Sequence, residues 1–323
     1  MKATAIAPTN IAFIKYMGRK DEVLRLPENA SISMCLDHLL TTTTVEFSSG
    51  LTRDDVTING GREEGEMSRV IKHLDRIRAL AGTADRAKVV SNNNFPTGTG
   101  LSSSSSGFAA LTLAGTSAAG LTLNAQELSI LARKASGSAC RSIPDGFVEW
   151  ADADTSDTSF ATTIFPPDHW DIADVVAIVS TGRKTVKSST AHQSVASGPY
   201  YRARIDRMPQ KMKRCKEVLR AKDFAAFGAL CEEEALDLHV IFMSAGIVYL
   251  TPQSLDLIKL VPQWREEGLP VYFTLNTGQD VHLFCEGKHV DALKKKLSEV
   301  ASVREVIVNR PGKGARMTQE HLF

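Results

Sequence analysis

The spacing of apolar and polar residues divides the chain into two stretches of different texture. In the first, short strand-like runs dominate, at residues 4–7, 11–15, an alternating 41–47, and 56–59, the last closing on Gly60-Gly61 as a hairpin turn. Between 66 and 80 the apolar residues Val70, Ile71, Leu74, Ile77 and Leu80 recur at helical spacing, with charges filling the opposite face. Residues 88–90 predict a strand, followed by a polar glycine-bearing loop and a helix of small residues over 107–119. Asn124 and Glu127 have the spacing of a capping box and start another helix, running through Lys134.

From about residue 172 the texture changes. Residues 175–179 form a continuous apolar run, the pattern of a strand buried on both faces. Amphipathic helical stretches follow at 200–221, 223–244 and 252–266, then strands at 270–275 and 281–285, a helix at 288–300 and a strand at 304–308. This order predicts a helix-backed antiparallel sheet of ferredoxin-like kind and an α+β protein. The expected boundary lies near 170, at Pro166-Pro167, giving domains 1–170 and 171–323.

Bulk properties narrow the function. The formal net charge is +1, with acids and bases interspersed, which argues against a nucleic-acid groove but leaves room for a local basic cluster holding a phosphorylated metabolite. Cys35, Cys140, Cys215, Cys231 and Cys285 are scattered and never form a C-x-x-C pair, so buried free thiols are expected rather than disulfides or zinc. The first residues lack the apolar core of a signal peptide, and no apolar run is long enough to span a bilayer; no membrane partner and a cytoplasmic location are expected.

The strongest local signal is the run from Asn93 to Gly107. A strand feeds a loop containing Gly98 and Gly100, and a helix opens with Ser102, Ser103, Ser104, Ser105 and Ser106. Glycines allow consecutive N–H groups to face one concavity, and a helix N-terminus adds the positive end of its dipole. Asn94, Pro96, Gly98, Gly100, Ser102, Ser103, Ser104 and Ser106 are therefore the candidate triphosphate-binding residues, with Ser104 the candidate Mg²⁺ ligand. There is no G-K-[ST], so the loop is not a Walker A motif. The alternative reading is a serine-capped helix after an ordinary turn.

The P-x-x-x-G-L-S-S-S pattern of this loop resembles the ATP motif of the GHMP kinases, and three further segments sharpen the likeness. Asn10-Ile11-Ala12-Phe13-Ile14-Lys15-Tyr16-Met17-Gly18-Arg19-Lys20-Asp21, Leu26-Pro27-Glu28-Asn29-Ala30-Ser31-Ile32-Ser33, and Ser136-Gly137-Ser138-Ala139-Cys140-Arg141-Ser142 with Gly146-Phe147-Val148-Glu149-Trp150 resemble motifs of the mevalonate diphosphate decarboxylases. The resemblance covers most of the chain. It implies a ribosomal-S5-like N-terminal domain, a GHMP C-terminal domain and a homodimer. The implied reaction is phosphorylation by ATP–Mg²⁺ of the tertiary C3 hydroxyl of a 5-phosphorylated mevalonate, followed by loss of phosphate and CO₂. Lys15 and Arg141 fall on catalytic positions. Tyr16, Arg19, Ser136, Ser138 and Arg141 fall on positions that bind the phosphorylated acid.

One motif departs from the pattern. The family carries an aspartate in F-x-x-D-A-G-P-N; aligning on Gly278 puts Asn276 there. An amide cannot accept a proton as a base, and such roles are worth about 10²–10⁴-fold in rate. Asp280, four residues on, is the candidate substitute. On the 66–80 helix, Asp75 stands where relatives carry a base, with Lys72 and His73 beside it, and the segment 188–194 reads as shortened, which leaves a mono- or a diphosphate substrate open. A 3-kinase that stops after phosphoryl transfer and a non-catalytic ATP-fold protein are the competing readings. Release of CO₂ separates the first from a decarboxylase, and ATP turnover separates the second from both.

Overall fold

A computed structural model of the chain describes residues 1–96, 100–180, 182, 186 and 188–323. Two large sheets, one two-stranded sheet and eight α-helices make up the described fold. The first sheet is built on two long strands, β1 (Lys2–Ile14) and β4 (Ser31–Ser48), and between them lies a small hairpin of β2 (Arg19–Asp21) and β3 (Leu26–Pro27). The register of β1 on β4 shifts between Pro8 and Asn10, where proline cannot donate to the ladder. The runs at 4–7 and 11–15 are thus one bulged strand. On either side of the bulge β4 changes partner, pairing with β6 (Arg86–Asn93) over Thr41–Ser48 and with β7 (Phe147–Trp150) over Ser31–Met34; β8 (Ala161–Phe165) then pairs with β7.

The expected hairpin at Gly60-Gly61 is a turn without a second strand. Asn59 and Gly60 both take left-handed φ and Ile58 bridges Gly61, but β5 (Asp55–Ile58) pairs in parallel with β6. A parallel pair needs a crossover, which α1 (Glu64–Ala81) supplies. Helices α2 (Ser103–Ala118) and α3 (Ala125–Ala135) pack with α1 against this sheet, burying Val45, Val89, Leu74, Ile77, Ala110 and Leu131 in one cluster. The capping box of Asn124 and Glu127 is present at the start of α3.

The second sheet is antiparallel, in the order β10 (Tyr272–Leu275), β11 (Val281–Glu286), β9 (Ile172–Ile178), β12 (Glu305–Asn309). Every residue of β9 is buried because both faces are covered, which explains its continuous apolar run. One face packs on α7 (Pro252–Glu266) and α8 (Val290–Ser298) through Leu257, Val261, Trp264, Leu293 and Leu297. The other meets the first sheet and the helices α5 (Tyr201–Ala221) and α6 (Phe224–Ser244); a short α4 (Ser188–Ser194) precedes them. Phe13 of β1 lies 4.8 Å from Phe227 of α6 and 5.5 Å from Phe284 of β11, so the largest core belongs to both halves. The division near residue 170 does not extend to the chain's end. A last strand, β13 (Arg316–Thr318), pairs with β1, and the Phe323 ring lies under Lys2 and Lys88.

Polar groups also cross the junction. Glu234 of α6 is fully buried and accepts from Arg204, from Lys211 Nζ at 2.8 Å and from the backbone N of Lys15 at 3.1 Å. All five cysteines are free and buried, and among the described residues no helix is long and apolar enough to cross a membrane.

Removing one charge from a buried ion network leaves its partners uncompensated, at a cost of roughly 3–5 kcal/mol. Glu234→Gln keeps the volume and removes the charge, so a destabilisation of that order is expected in chemical denaturation. A loss below about 1 kcal/mol would show that the network is solvated in solution.

Candidate active site

Lys15 follows the end of β1, and its backbone is gripped on both sides: its N–H by Glu234, its carbonyl by Asn29 Nδ2 at 2.9 Å and Arg204 Nη2 at 3.0 Å. Its ammonium donates to the Ala12 carbonyl at 2.6 Å and to Asn276 Oδ1 at 3.3 Å. Burial pushes the Lys15 pKa down to about 8, and Arg141 pushes the same way, against the opposing pull of Cys231, Glu234 and Asp174. Asn276 follows β10. Its carbonyl accepts from Nε2 of His239 at 3.2 Å, a ring held neutral by burial with its pKa pushed down to about 4. Its Nδ2 reaches Ser102 Oγ at 3.5 Å. The amide therefore links the lysine to the serine helix, oxygen toward the cation and nitrogen toward the hydroxyl.

Asp280, the expected substitute for the missing carboxylate, lies directly before β11. Its Oδ1 accepts from the backbone N of Val179 at 3.1 Å, beyond the end of β9, and the carboxylates that act most on Lys15 are Glu234 and Asp174. Asp174 is itself buried against His282 at 3.0 Å.

Around the phosphate loop the expected residues divide by role. Asn94 spends both ends of its amide on the bulge of β4, accepting from Leu40 N at 2.9 Å and donating to the His38 carbonyl at 2.7 Å. It fastens the loop and does not face a phosphate. Pro96 is exposed beside it, and Gly98 lies outside the described residues. Gly100 has φ +124°, and a Cβ there would lie 2.8 Å from the Gly278 Cα, so the loop meets the 276–279 turn backbone to backbone. Ser102 adopts left-handed φ and gives α2 no side-chain cap; the backbone N of Ser105 donates to the Ser102 carbonyl at 2.8 Å, and the N–H groups of Ser103 and Ser104 are the ones a phosphate would meet. Ser102, Ser103 and Ser104 are half-buried on that turn.

Ser106 is a correction: it is fully buried, sharing a hydrogen bond with Thr41 Oγ1 at 2.6 Å and donating to the Ser103 carbonyl at 3.3 Å. The hydroxyl points to the sheet because α2 packs on it with that side. Among the described residues no three His, Cys, Asp or Glu side chains gather as a metal cage. A hydroxyl such as Ser104 beside a phosphate-binding helix end fits a Mg²⁺ ion held mainly by nucleotide oxygens.

Opposite the serine helix lies a turn, Gly137–Ser142, that presents Arg141. Its guanidinium is buried and donates from Nε to Ser33 Oγ at 3.1 Å, from Nη1 to Ser31 Oγ at 2.8 Å and from Nη2 to Asn10 Oδ1 at 3.1 Å. All three partners are neutral, and burial lowers its pKa. Ser136 and Ser138 tie this turn to α2, through Ser104 Oγ at 3.5 Å and Ser105 Oγ at 2.5 Å. Tyr16 accepts from Arg19 Nε at 2.8 Å, and its ring sits between Trp150 at 4.6 Å and His192 at 4.3 Å.

His192 was not singled out by the sequence. Its Nδ1 accepts from Gly18 N at 3.0 Å, which puts the proton on Nε2. Burial, then Arg19, Arg25, Arg141 and Arg204, hold the ring neutral. Only the fold brings it to Tyr16, 176 positions away in sequence (192 − 16). The α1 residues also sort differently from expectation. Asp75 pairs with Arg78 at 2.5 Å, and His73 is buried on Thr112 at 2.8 Å; Arg69 and Arg76 are the bases that act on the hairpin's Arg25.

A bilobal α+β fold in which a serine-rich helix end, a buried lysine and a buried arginine of one lobe meet the Asn276 turn of the other is that of the GHMP-type ATP-dependent enzymes. Two family models match, the diphosphomevalonate decarboxylase-like N-terminal domain over residues 7–161 and the mevalonate 5-diphosphate decarboxylase C-terminal domain over 174–319. The chain belongs to the diphosphomevalonate decarboxylase family. It is 32% identical to the diphosphomevalonate decarboxylase of Candida albicans, over 99% of each chain, and 33% identical to the phosphomevalonate decarboxylase of Haloferax volcanii, over 93% of each. A solved complex of "MDDEF" with MVAPP, AMPPCP and magnesium superposes with a TM-score of 0.93 at 35% identity, covering 99% of both chains.

Two outcomes test the site. Protonated Lys15 is the form that neutralises anionic charge, so kcat/KM should fall as pH rises through about 8, and Lys15→Arg should abolish that fall while lowering the rate. Ser104→Ala should reduce ATP turnover at least about tenfold with little loss of stability. Ser106→Ala should instead cost roughly 0.5–1.5 kcal/mol in denaturation, by removing a buried hydrogen bond to Thr41, whose hydroxyl still donates to Asn93 Oδ1 at 2.6 Å.

Proposed function

We propose that this protein catalyses the ATP–Mg²⁺-dependent decarboxylation of a 5-phosphorylated mevalonate to an isopentenyl (di)phosphate. The observation that carries the reading is the pair of buried cations, Lys15 and Arg141, whose side chains bond only neutral groups and which face an uncapped serine helix end. Buried charge without a counter-ion is costly, and an anionic substrate between them relieves that cost.

In this reading the serine helix would hold the triphosphate, with Ser104 placed to help hold a magnesium ion, which would supply charge neutralisation for phosphoryl transfer. Asn276 orients the C3 hydroxyl and Lys15 neutralises the oxygens around it. A largely dissociative transfer asks little of the nucleophile at first, so orientation by an amide sustains the step without a carboxylate base. Arg141 holds the carboxylate. When the C3–O bond to the new phosphate breaks, the electron pair of the bond to CO₂ becomes the C=C bond. Tyr16, Arg19, Ser136, Ser138 and His192 line the acid's side of the site.

The ATP-binding domain is then the first sheet with α1–α3 and the returning β13. A homodimer and a cytoplasmic location belong to the same reading. Leu236, Val240 and Met243 recur along the exposed side of α6 and are suited to a second copy. The competing 3-kinase reading rests on Asn276 alone.

The test offers mevalonate, its 5-phosphate and its 5-diphosphate with ATP–Mg²⁺ and follows ADP and CO₂ separately. Equal release of both is expected from one phosphorylated substrate; ADP without CO₂ makes the protein a 3-kinase, and neither product from any of the three removes catalysis. Asn276→Asp should raise turnover and Asn276→Ala should lower it at least about tenfold. If both leave the rate unchanged, the amide stands away from the chemistry.

A further inference from the structure

Two buried arginines of this protein meet carboxylates: Arg78 is forked onto Asp54 at 2.9 and 3.0 Å, and Arg204 lies on Glu234. Two others, Arg133 and Arg141, spend their forks on neutral acceptors. The half-buried Arg25 does neither in full. It sits at the tip of the β2–β3 hairpin, whose geometry is fixed from three directions. Asp21 Oδ1 accepts from Leu24 N at 2.7 Å, the Leu24 carbonyl accepts from the fully buried Arg133 at 3.0 Å, and Arg25 Nε donates to the Lys134 carbonyl at 3.2 Å. The last two bonds dock the hairpin on the end of α3, directly before the Ser136–Ser138 turn. One edge of the guanidinium is thereby used, and among the described residues Nη1 and Nη2 have neither a hydrogen-bond acceptor nor a carboxylate partner.

The surroundings of Arg25 add positive charge. After burial, which pushes its pKa down to about 10, the groups that act on it are Arg19, Arg69 and Arg76, with Tyr16 opposing Arg19. Arg25 acts in turn on Tyr16 and His192, the residues assigned to the acid's side of the site. Its backbone is also unusual. Arg25 has φ +53°, a left-handed conformation that costs a side-chain-bearing residue about 1–2 kcal/mol and that glycine would adopt freely. A bare turn has no use for an arginine at that position. Arg19 and Arg69 have carboxylate partners in Glu22 and Glu66, but Arg25 has none; its strained backbone and two unused donor groups suit an anion with several oxygens. Phosphoryl oxygens match the planar donor fork best.

We propose that Arg25 is a specificity-determining residue that binds the phosphoryl end of the acid substrate, with Arg19 on the same hairpin and Arg69 and Arg76 on α1 completing the cationic pocket. The assignment rests on the reading of the substrate as a 5-phosphorylated acid. It commits to phosphoryl oxygens, common to a mono- and a diphosphate tail.

The experiment compares wild type, Arg25→Gln and Arg25→Lys. In steady-state kinetics Arg25→Gln should raise KM for whichever phosphorylated mevalonate wild type uses by at least about tenfold, leave KM for ATP within about twofold, and be partly rescued by Arg25→Lys. Calorimetric titration with inorganic phosphate and with pyrophosphate, without nucleotide, reads the pocket independently of turnover. Loss in Arg25→Gln of pyrophosphate binding alone assigns a diphosphate tail; loss of phosphate binding as well assigns a monophosphate. Should wild type release no CO₂ from any substrate, the functional reading fails while the titration still tests Arg25. Unchanged KM and unchanged anion binding in folded Arg25→Gln would overturn the proposal, as would an equal rise in KM for ATP. If Arg25→Gln does not fold, Arg25→Lys decides: pyrophosphate or phosphate affinity equal to wild type then counts against the bidentate fork.

Discussion

The buried carboxylate of Glu234 is the interaction on which the site depends. It comes from α6, in the second half of the chain, and receives Arg204 and Lys211 of α5 together with the backbone N–H of Lys15. Arg204 then reaches past it to the Lys15 carbonyl. A peptide unit at the end of β1 is thus held by groups some two hundred residues away. A buried ion network of this kind contributes little net stability, since desolvation offsets most of its attraction. What it supplies is position: the lysine backbone cannot shift without leaving a buried charge unpaired.

Once the backbone is fixed, the side chain of Lys15 has few places to go, and it lies on Asn276, which reaches Ser102. This line of contacts runs across the seam between the two sheets, and the seam is closed where Gly100 and Gly278 touch. A side chain at Gly100 would push its loop away from the turn carrying Asn276. The asparagine therefore belongs to a joint between lobes as well as to the chemistry, and an amide suits the joint because it offers an acceptor to one neighbour and a donor to the other.

Charge is distributed unevenly. Arg78 with Asp54 and Lys211 with Glu234 and Asp237 are matched by acids. Lys15, Arg141, Arg25 and Arg133 bond neutral atoms. A protein near neutral net charge can concentrate an anion-binding field in this way without becoming a general polyanion binder.

Periodicity along the chain made most of the fold legible, because burial on one face of a helix or both faces of a strand leaves a repeating signature. Helices α5, α6 and α7, the strand β9 and the cap of α3 could all be read in that way. The pieces missed were short or paired at a distance: β2, β3, β7 and β8, whose few residues carry no period, and β13, which returns to β1 from the other end of the chain. The parallel pairing of β5 was hidden for the same reason, since a turn sequence specifies a local bend but not the strand that will lie beside it. Local chemistry marked the serine helix, Lys15, Arg141 and the substitution at Asn276. It could not separate Ser104 from Ser106, because adjacent hydroxyls on one helix differ only in what packs against each. Nor could it show that Asp280 accepts from Val179, that His192 packs on Tyr16, or that Arg25 docks on the end of α3. The sequence by itself determined the elements and the residue types available to bind phosphate; the tertiary structure decided which of them face the substrate, because orientation is set by contacts between segments far apart in the chain.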